Sequence, residues 1–405
     1  MTKVIIIGAG TGGLSVAKEL SKNKDAEVLI IEKGPLADTK DAYKYYDTWD
    51  RNEMEIIKTT LVGGSSTVIA GNFIPSFVEE LKKYDIDITK QLDELKDELK
   101  IAPMPESHIG DADHILQKAA EELGFDMQPM PKAIDATKCK QCGKCAWGCP
   151  HGAKWSSLED LKIAQQNGAK LITDEEVVKL LVEDSKIKGV VTNKANTYTA
   201  DIVVVAAGGV VTPKLLRLAG INTAGETFAV DPFITIGGYY KGANQTKQIE
   251  MNKFIKLPYA VISPHTSQYV LDGIKQTHPD ATADDVLSFM IKIPDNRKGK
   301  VYANKVEKSI DYDDVAYIAQ ASAIAGAILK QAGVDMESIS STHTRGAHLI
   351  ATSPVGEVVD SNLQTEIENL YVADGSVLPK AEGIPPIYAI LAIAKRLGQH
   401  LADII

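Results

Sequence analysis

Hydrophobic positions follow two rhythms along this chain, and the change between them marks the elements. Lys3 is followed by Val4-Ile5-Ile6-Ile7, a continuous β-branched run of the kind found in a strand buried on both faces. Glycines come next, and then Leu14, Ala17 and Leu20 fall at helical spacing. A second run, Glu27-Val28-Leu29-Ile30-Ile31, ends at Glu32 and completes a βαβ unit. Lys170-Leu171-Ile172, Val177 to Val182, Ile187 to Val191 and Asp201 to Val205 read as further strands, as does Leu370 to Ala373 before a helix from about Pro386 to Ile404. Residues 76–100 and 111–123 have helical patterning, and Asp314 to Ala332 is a long alanine-rich helix. Between 228 and 310 the pattern alternates, as in Phe233-Ile234-Thr235-Ile236, which predicts an antiparallel sheet. Residues 35–60 are polar and tyrosine-rich and predict no particular element. No internal repeat or low-complexity tract is evident.

These rhythms predict an α/β fold: a Rossmann-like dinucleotide-binding domain with a smaller antiparallel-sheet domain. At 405 residues the chain has room for two or three domains. Its net charge of −10 argues against nucleic acid as a main partner. No apolar run approaches the ~20 residues that span a bilayer. With no secretory pattern at the first residues, a cytoplasmic protein is the default expectation.

Gly8-x-Gly10-x-x-Gly13 stands between a strand and a helix, where a dinucleotide site needs it. Gly8 allows the tight turn, Gly10 the approach of a pyrophosphate, and Gly13 close helix–strand packing, with the helix N-terminus facing the anion. Glu32, at the end of the second strand, is placed to accept hydrogen bonds from a ribose diol.

All four cysteines fall within one short segment, as Cys139-x2-Cys142-x2-Cys145-x3-Cys149-Pro150. A disulfide framework would spread them, so the clustering points to a cofactor. The spacing is that of bacterial ferredoxins. Structural zinc usually takes two separated knuckles, and no second knuckle exists here. An iron–sulfur cluster is therefore favoured over zinc or a metal-free loop. It is a [4Fe–4S] cluster if all four cysteines bind, or a [3Fe–4S] cluster if Cys149 is spare.

Three ordered blocks carry a family resemblance. Thr60-Leu61-Val62-Gly63-Gly64-Ser65-Ser66-Thr67-Val68 is similar to the flavin-contacting segment of the glucose–methanol–choline (GMC) oxidoreductases. Val203 to Leu216, containing Ala206-Ala207-Gly208-Gly209, resembles that family's second flavin-domain strand and following helix. Asn369 to Pro379, containing Asp374-Gly375, resembles its C-terminal flavin segment, and Gly148-Cys149-Pro150-His151-Gly152-Ala153-Lys154 is similar to a turn found in some members. The blocks cover about half the chain, and the middle region resembles the family only by position.

The resemblance implies FAD and a GMC-type fold. Gly8, Gly10 and Gly13 would approach the pyrophosphate and Glu32 the adenosine ribose. Gly63, Gly64 and Ser65 would lie near the flavin, with the helix N-terminus after Pro385 facing it, Ala207 and Gly208 would bind the cofactor, Val177 would meet the adenine side, and Asp374 and Gly375 would sit near the pyrophosphate and ribityl chain. It implies a discontinuous FAD domain (1–75, 156–227 and 341–405), a helical insert (76–155) with the cluster loop (138–155), and a substrate domain (228–340). His343, in His343-Thr344-Arg345-Gly346, matches the family's His-x-x-Gly general base, with His348 a second polar group nearby. The usual second catalytic position, before a proline, is read as Ile384, which cannot hydrogen-bond a substrate. Arg345 is a candidate for an anionic substrate, and His151 for a bridge between cluster and flavin. Residues 41–51, with Tyr43, Tyr45, Tyr46 and Trp49, form either a lid or a partly buried loop.

The resulting expectation is an FAD oxidoreductase of dehydrogenase rather than oxidase type. It exchanges a hydride with a small alcohol or carbonyl substrate and relays electrons through the cluster to a ferredoxin-like carrier. Its alternatives are an electron-fed reductase, motivated by Ile384, and an electron-transfer subunit without substrate chemistry.

Overall fold

The computed structural model describes residues 1–51 and 54–405. The side chain of Trp49, one of the aromatic residues of the expected lid, lies outside the described part.

The β-branched runs assemble as a parallel sheet in the order Leu370–Val372, Ile202–Val205, Thr2–Ile7, Ala26–Ile31, Lys170–Ile172. Ile7 pairs with Val205 on one side and Ile31 on the other. Val4, Ile6, Val203, Val204 and Val205 are fully buried, as continuous apolar strands covered on both faces should be. The chain starts at the centre of this sheet, moves out one way, and returns to fill the other side. That reversal leaves a crevice at the C-terminal ends of the central strands, where ligands of such sheets bind. The helix Thr11–Leu20 packs along Ile387–Ile404, closely enough that a Cβ on Gly398 would stand 2.7 Å from the Glu19 Cβ.

The expected antiparallel sheet is present and larger than the 228–340 segment. Strands Phe233–Tyr239, Val286–Lys292, Ala260–Pro264 and Lys253–Leu257 lie side by side, and Asp335–Ser341 also pairs with the first of them. Residues 35–60, which gave no clear pattern, form a 3-10 turn (Thr39–Tyr45) and a hairpin (Tyr46–Arg51 with Met54–Thr59) that joins this sheet through Arg345–Gly346. Residues 46–59 and 345–346, expected within the flavin domain, thus supply strands to the other sheet. The hairpin is half-buried, with Met54 and Ile56 turned inward, so its polar face masked it in the sequence.

The long helix Tyr312–Ala332 lies against this sheet, burying Ala321, Ala325, Ile328 and Leu329 with Ile262, Phe289 and Ile291. Its start is a reciprocal cap between Asp311 and Asp314, and Gly333 ends it at φ +94°. The segment 76–100 divides into helices Val78–Lys82 and Thr89–Glu98. The cysteine segment is irregular except for one 3-10 turn, Cys145–Trp147. Among the described residues, no helix is long and apolar enough to cross a membrane.

Candidate active site

A cavity of about 830 Å³ opens between the C-terminal ends of the parallel strands and the antiparallel sheet. That volume suits a large cofactor with a substrate beside it. The glycine turn forms its floor. Gly8 is left-handed (φ +97°), and a Cβ there would meet the Ala206 carbonyl oxygen at 2.4 Å. Gly10 lines the cavity, and a Cβ on it would meet nothing within 4 Å. Its bare backbone therefore faces open space at the start of Thr11–Leu20, whose N-cap has no side-chain acceptor. This is a cradle for an anion. Gly13 does not line the cavity; a Cβ there would lie 2.1 Å from the Gly8 carbonyl oxygen, so it serves helix–strand packing and does not make the approach to the pyrophosphate that the resemblance implied. Gly12, which the motif leaves unspecified, is tighter still, with the Ala373 carbonyl oxygen 1.7 Å from its would-be Cβ.

Glu32 reaches the cavity wall, and both its oxygens are already engaged with the turn. Oε2 accepts from Ala9 N–H and Oε1 from Gly34 N–H, each at 2.8 Å. Burial pushes its carboxyl upward, and these N–H groups oppose the shift. Glu32 thus holds the turn in place while keeping lone pairs for a ribose.

Gly64, Ser65, Val177, Ala207 and Gly208 line the same cavity, as do Asp374, Gly375 and Pro385. Gly63 stands behind the wall, left-handed at φ +94°, and donates to the Ala9 carbonyl. Asp374 ties the C-terminal segment to the 207–212 turn: Oδ2 accepts from Gly208 N–H (2.8 Å) and the Thr212 hydroxyl (2.5 Å), and Oδ1 from Ser376 N–H. The residues present thus fit FAD: an open backbone cradle at a helix start, an acidic residue one strand away, and a cavity large enough for both halves of a dinucleotide.

The wall facing this cradle is built differently. His348 lines the cavity with Nδ1 2.8 Å from Asp231 Oδ2 and Nε2 3.2 Å from the Lys292 ammonium. A lysine only donates and a carboxylate accepts, so these partners select the Nδ1–H tautomer and leave Nε2 as the acceptor. Burial, then Lys292, hold the His348 pKa well below the usual imidazole value, so the ring is neutral. Burial also lowers Lys292 to about 8 and raises Asp231 to about 7, and each opposes the other's shift. Asp231 sits in left-handed backbone (φ 49°), and its Oδ1 takes the Gly383 N–H at 2.9 Å. His265, also on the cavity, bonds the Thr235 hydroxyl through Nδ1 at 3.1 Å; burial lowers it to about 3.

His343, expected as the base, is not on the cavity wall. Its ring is half exposed, bonded to Glu55 at 3.1 Å and edge-on to Tyr269. The reason is register: His343-x-x-Gly346 and His348-x-x-Ala351 share one spacing, and only the second faces inward. Ala351 is left-handed (φ 60°), the conformation of a glycine at that point, which is the signal that the spacing alone concealed. Ile384 likewise packs away from the cavity with Ile74, Met130, Phe254 and Val261, and Pro385 is the residue that lines it. Arg345 lines the cavity but is held by Glu55 at 2.6 Å between Phe233 and Tyr269. Of the expected lid, Tyr43 and Tyr46 reach the cavity rim, and the Tyr46 hydroxyl donates to the Ala146 carbonyl at 2.6 Å.

The four cysteines line one small separate pocket, with His151 and Lys154 beside them. Gly143 and Gly148 are left-handed, and Ala153 N–H points at Cys149 Sγ at 3.3 Å. Burial, then Glu250, push the Cys145 thiol up to about 12. Among the described residues, no group of three or more His, Cys, Asp or Glu side chains is drawn together as the ligands of a single metal ion. The pocket nonetheless abuts the large cavity, because Ala146 and Trp147, next to Cys145, line the latter.

Comparison with known proteins agrees with this geometry. Family models described as GMC oxidoreductase match residues 2–237 and 296–394. An uncharacterized protein of Methanocaldococcus jannaschii is 32% identical over 400 residues, covering 98% of each chain. A long-chain-alcohol oxidase of Arabidopsis thaliana is 22% identical, covering 98% of this chain and 67% of that one. The crystal structure of pyridoxine 4-oxidase from Mesorbium loti shares the fold, with a TM-score of 0.74 at 16% identity over 99% of both chains. With its glycine cradle, its paired flavin-side turns and both halves of the family model matched, the chain belongs to the GMC oxidoreductase family of FAD-dependent oxidoreductases.

Proposed function

We propose that this protein is a dehydrogenase that oxidises an alcohol with an apolar body and passes the electrons singly through a cysteine-held iron–sulfur cluster to an acidic carrier. The observation that carries the reading is that the open glycine cradle and His348 face one cavity. FAD, when bound, supplies the acceptor for the hydride that leaves the alcohol carbon. His348 Nε2 takes the hydroxyl proton, while Asp231 holds Nδ1–H and stabilises the imidazolium that forms. Lys292, which donates to Nε2, turns to the substrate oxygen as negative charge develops there. It supplies the hydrogen bond that neither Ile384 nor Pro385 can make. Ile57, Phe233, Met251 and Met290 make the neighbouring wall apolar, and the alcohol oxidase among the relatives fits such a substrate. Lys292 beside His348 supports the alcohol direction over the reductase reading, because it gives the substrate oxygen a donor although Ile384 packs away from the cavity.

The cluster part rests on ferredoxin spacing, four cysteines on one pocket, and that pocket's contact with the large cavity through Ala146 and Trp147. Lys138, Lys140 and Lys144 are exposed around the loop, and no carboxylate occurs between Asp135 and Glu159, so the face suits an acidic one-electron carrier. Anaerobic purification with flavin, iron and sulfide quantification, followed by mixing with a series of primary alcohols, tests both parts. One FAD and about four irons per chain are expected, with the flavin bleached by the longer alcohols. Three irons would mark Cys149 as spare. Flavin that dithionite bleaches and no alcohol does would remove the alcohol reading, and FAD without iron would remove the cluster.

A further inference from the structure

Between the cysteine pocket and the flavin-side segment 63–72 lies a layer of buried lysines that the hydride chemistry does not use. Lys154 is 6% exposed and lines the cysteine pocket, and its ammonium donates to the carbonyls of Ser66 (3.1 Å) and Thr67 (2.9 Å). Lys132, 1% exposed, donates to the carbonyls of Ala70 and Glu250 and to Asn72 Oδ1. Every one of these acceptors is neutral. The buried carboxylates nearby are Glu250, which takes Ala146 N–H at 2.7 Å, and Asp113, beside which Lys253 is buried. Three ammonium groups (Lys132, Lys154, Lys253) thus face two carboxylates (Glu250, Asp113), and the layer carries excess positive charge in the interior. Uncompensated buried charge is strongly unfavourable, so such a layer calls for an anion against it. Lys154 lines the cysteine pocket on the side away from its Ser66 and Thr67 acceptors, and a thiolate-ligated cluster there would be an anion of the required sign.

We infer that Lys154, with Lys132 behind it, is the counter-charge of the cluster and sets its reduction potential, while the same ammonium fixes the Ser66–Thr67 backbone beside the flavin. This rests on the cluster reading above. Lys154 acts here as a positioning residue: it binds no substrate and moves no proton. A buried positive charge favours the reduced, more negative cluster, so its removal lowers the potential. The charge and the carbonyl clamp belong to one side chain, which makes the two cofactors electrostatic neighbours.

The test is an anaerobic potentiometric titration of the cluster, followed by absorbance and electron paramagnetic resonance, on the iron-loaded, FAD-containing protein and on Lys154→Met and Lys154→Arg. The expected result is full iron in all three, with the reduced-to-oxidised ratio at fixed potential falling at least tenfold in the Met variant (about 59 mV for one electron) and returning toward wild type with Arg. An unmoved potential in Lys154→Met at full iron would overturn the inference and leave the cluster reading standing. If the Met variant loses its iron, the Arg variant decides. Iron retained with Arg supports the counter-charge, and iron lost with Arg as well overturns it. Wild-type protein that holds FAD and no iron sinks the cluster reading itself, and this inference with it.

Discussion

The two walls of the large cavity solve opposite problems. The flavin-side wall is made of backbone: Gly8, Gly10, Gly12 and Gly13 expose or pack peptide groups, and Glu32 and Asp374 spend their oxygens tying turns together. The facing wall is made of buried side-chain charge: Asp231, Lys292 and His348, drawn from separate strands and loops, complete one another's hydrogen bonds. A backbone wall tolerates any residue without a Cβ in the way and binds by shape and dipole. A charge wall is intolerant of losing any member, because each is buried only by virtue of the others. The difference teaches where damage will be chemical and where it will be structural.

The sharpest break of the comparison is His348→Ala. Loss of a general base should lower kcat by about 10²–10⁴-fold with FAD content unchanged, while His343→Ala changes kcat less than about threefold. Equal losses from the two would return the base to His343. Next, Lys292→Met strands the Asp231 carboxylate in the interior and should cost about 3–5 kcal/mol in urea unfolding. Adding Asp231→Asn to it should recover most of that loss, because the pair is then neutral, and a double variant no better than the single would show that Lys292 acts by packing.

On the backbone wall the contrast lies within one turn. Gly12→Ala drives a Cβ into the Ala373 carbonyl and should cost about 3 kcal/mol. Gly10→Ala meets open space and should leave apo stability within about 1 kcal/mol while weakening FAD binding tenfold or more. Equal destabilisation by both would mean that Gly10 is a packing position too.

The smallest effect concerns acid. His265 is held neutral in the fold, its pKa lowered from 6.5 to about 3 chiefly by burial. The unfolded chain therefore binds the extra proton first as pH falls. The stability this ring contributes is present above pH 6.5 and is lost as pH drops through that value toward 3. Thermal melts of His265→Gln, which can keep the Thr235 bond, should show a shallower decline between pH 6.5 and about 5, by about 2 °C. An unchanged slope would put the acid sensitivity in other groups.

The backbone wall was legible in the sequence because its instructions are local: Gly8 to Gly13 lie within one strand–turn–helix, and Glu32 at the next strand end. The parallel strands were legible for the same reason, whereas Asp374 and the 207–208 turn were reached through the family resemblance. The charge wall was not. Asp231, Lys292 and His348 meet only through tertiary folding, and nothing near Lys292 in the chain distinguishes it from a surface lysine on an amphipathic strand. His343 and His348 satisfied one spacing, and the choice between them is made by strand register and by the left-handed turn at Ala351. The hairpin 46–59 was missed because one of its faces is polar. Gly12 and Thr212 went unremarked because their partners, Ala373 and Asp374, arrive from the far end of the chain.

That last distance has a consequence for the order of folding. The central strand Thr2–Ile7 and the glycine turn lie far along the chain from the edge strand Leu370–Val372, the Asp374 clamp and the helix Ile387–Ile404 that packs on Thr11–Leu20. The turn is complete as sequence long before it is complete as structure: until these distant segments dock, nothing packs against Gly12, Gly208 lacks its anchor and the first helix keeps a bare apolar face. Closure of the cradle is therefore a long-range event, of the kind that folds late because loop closure precedes its reward.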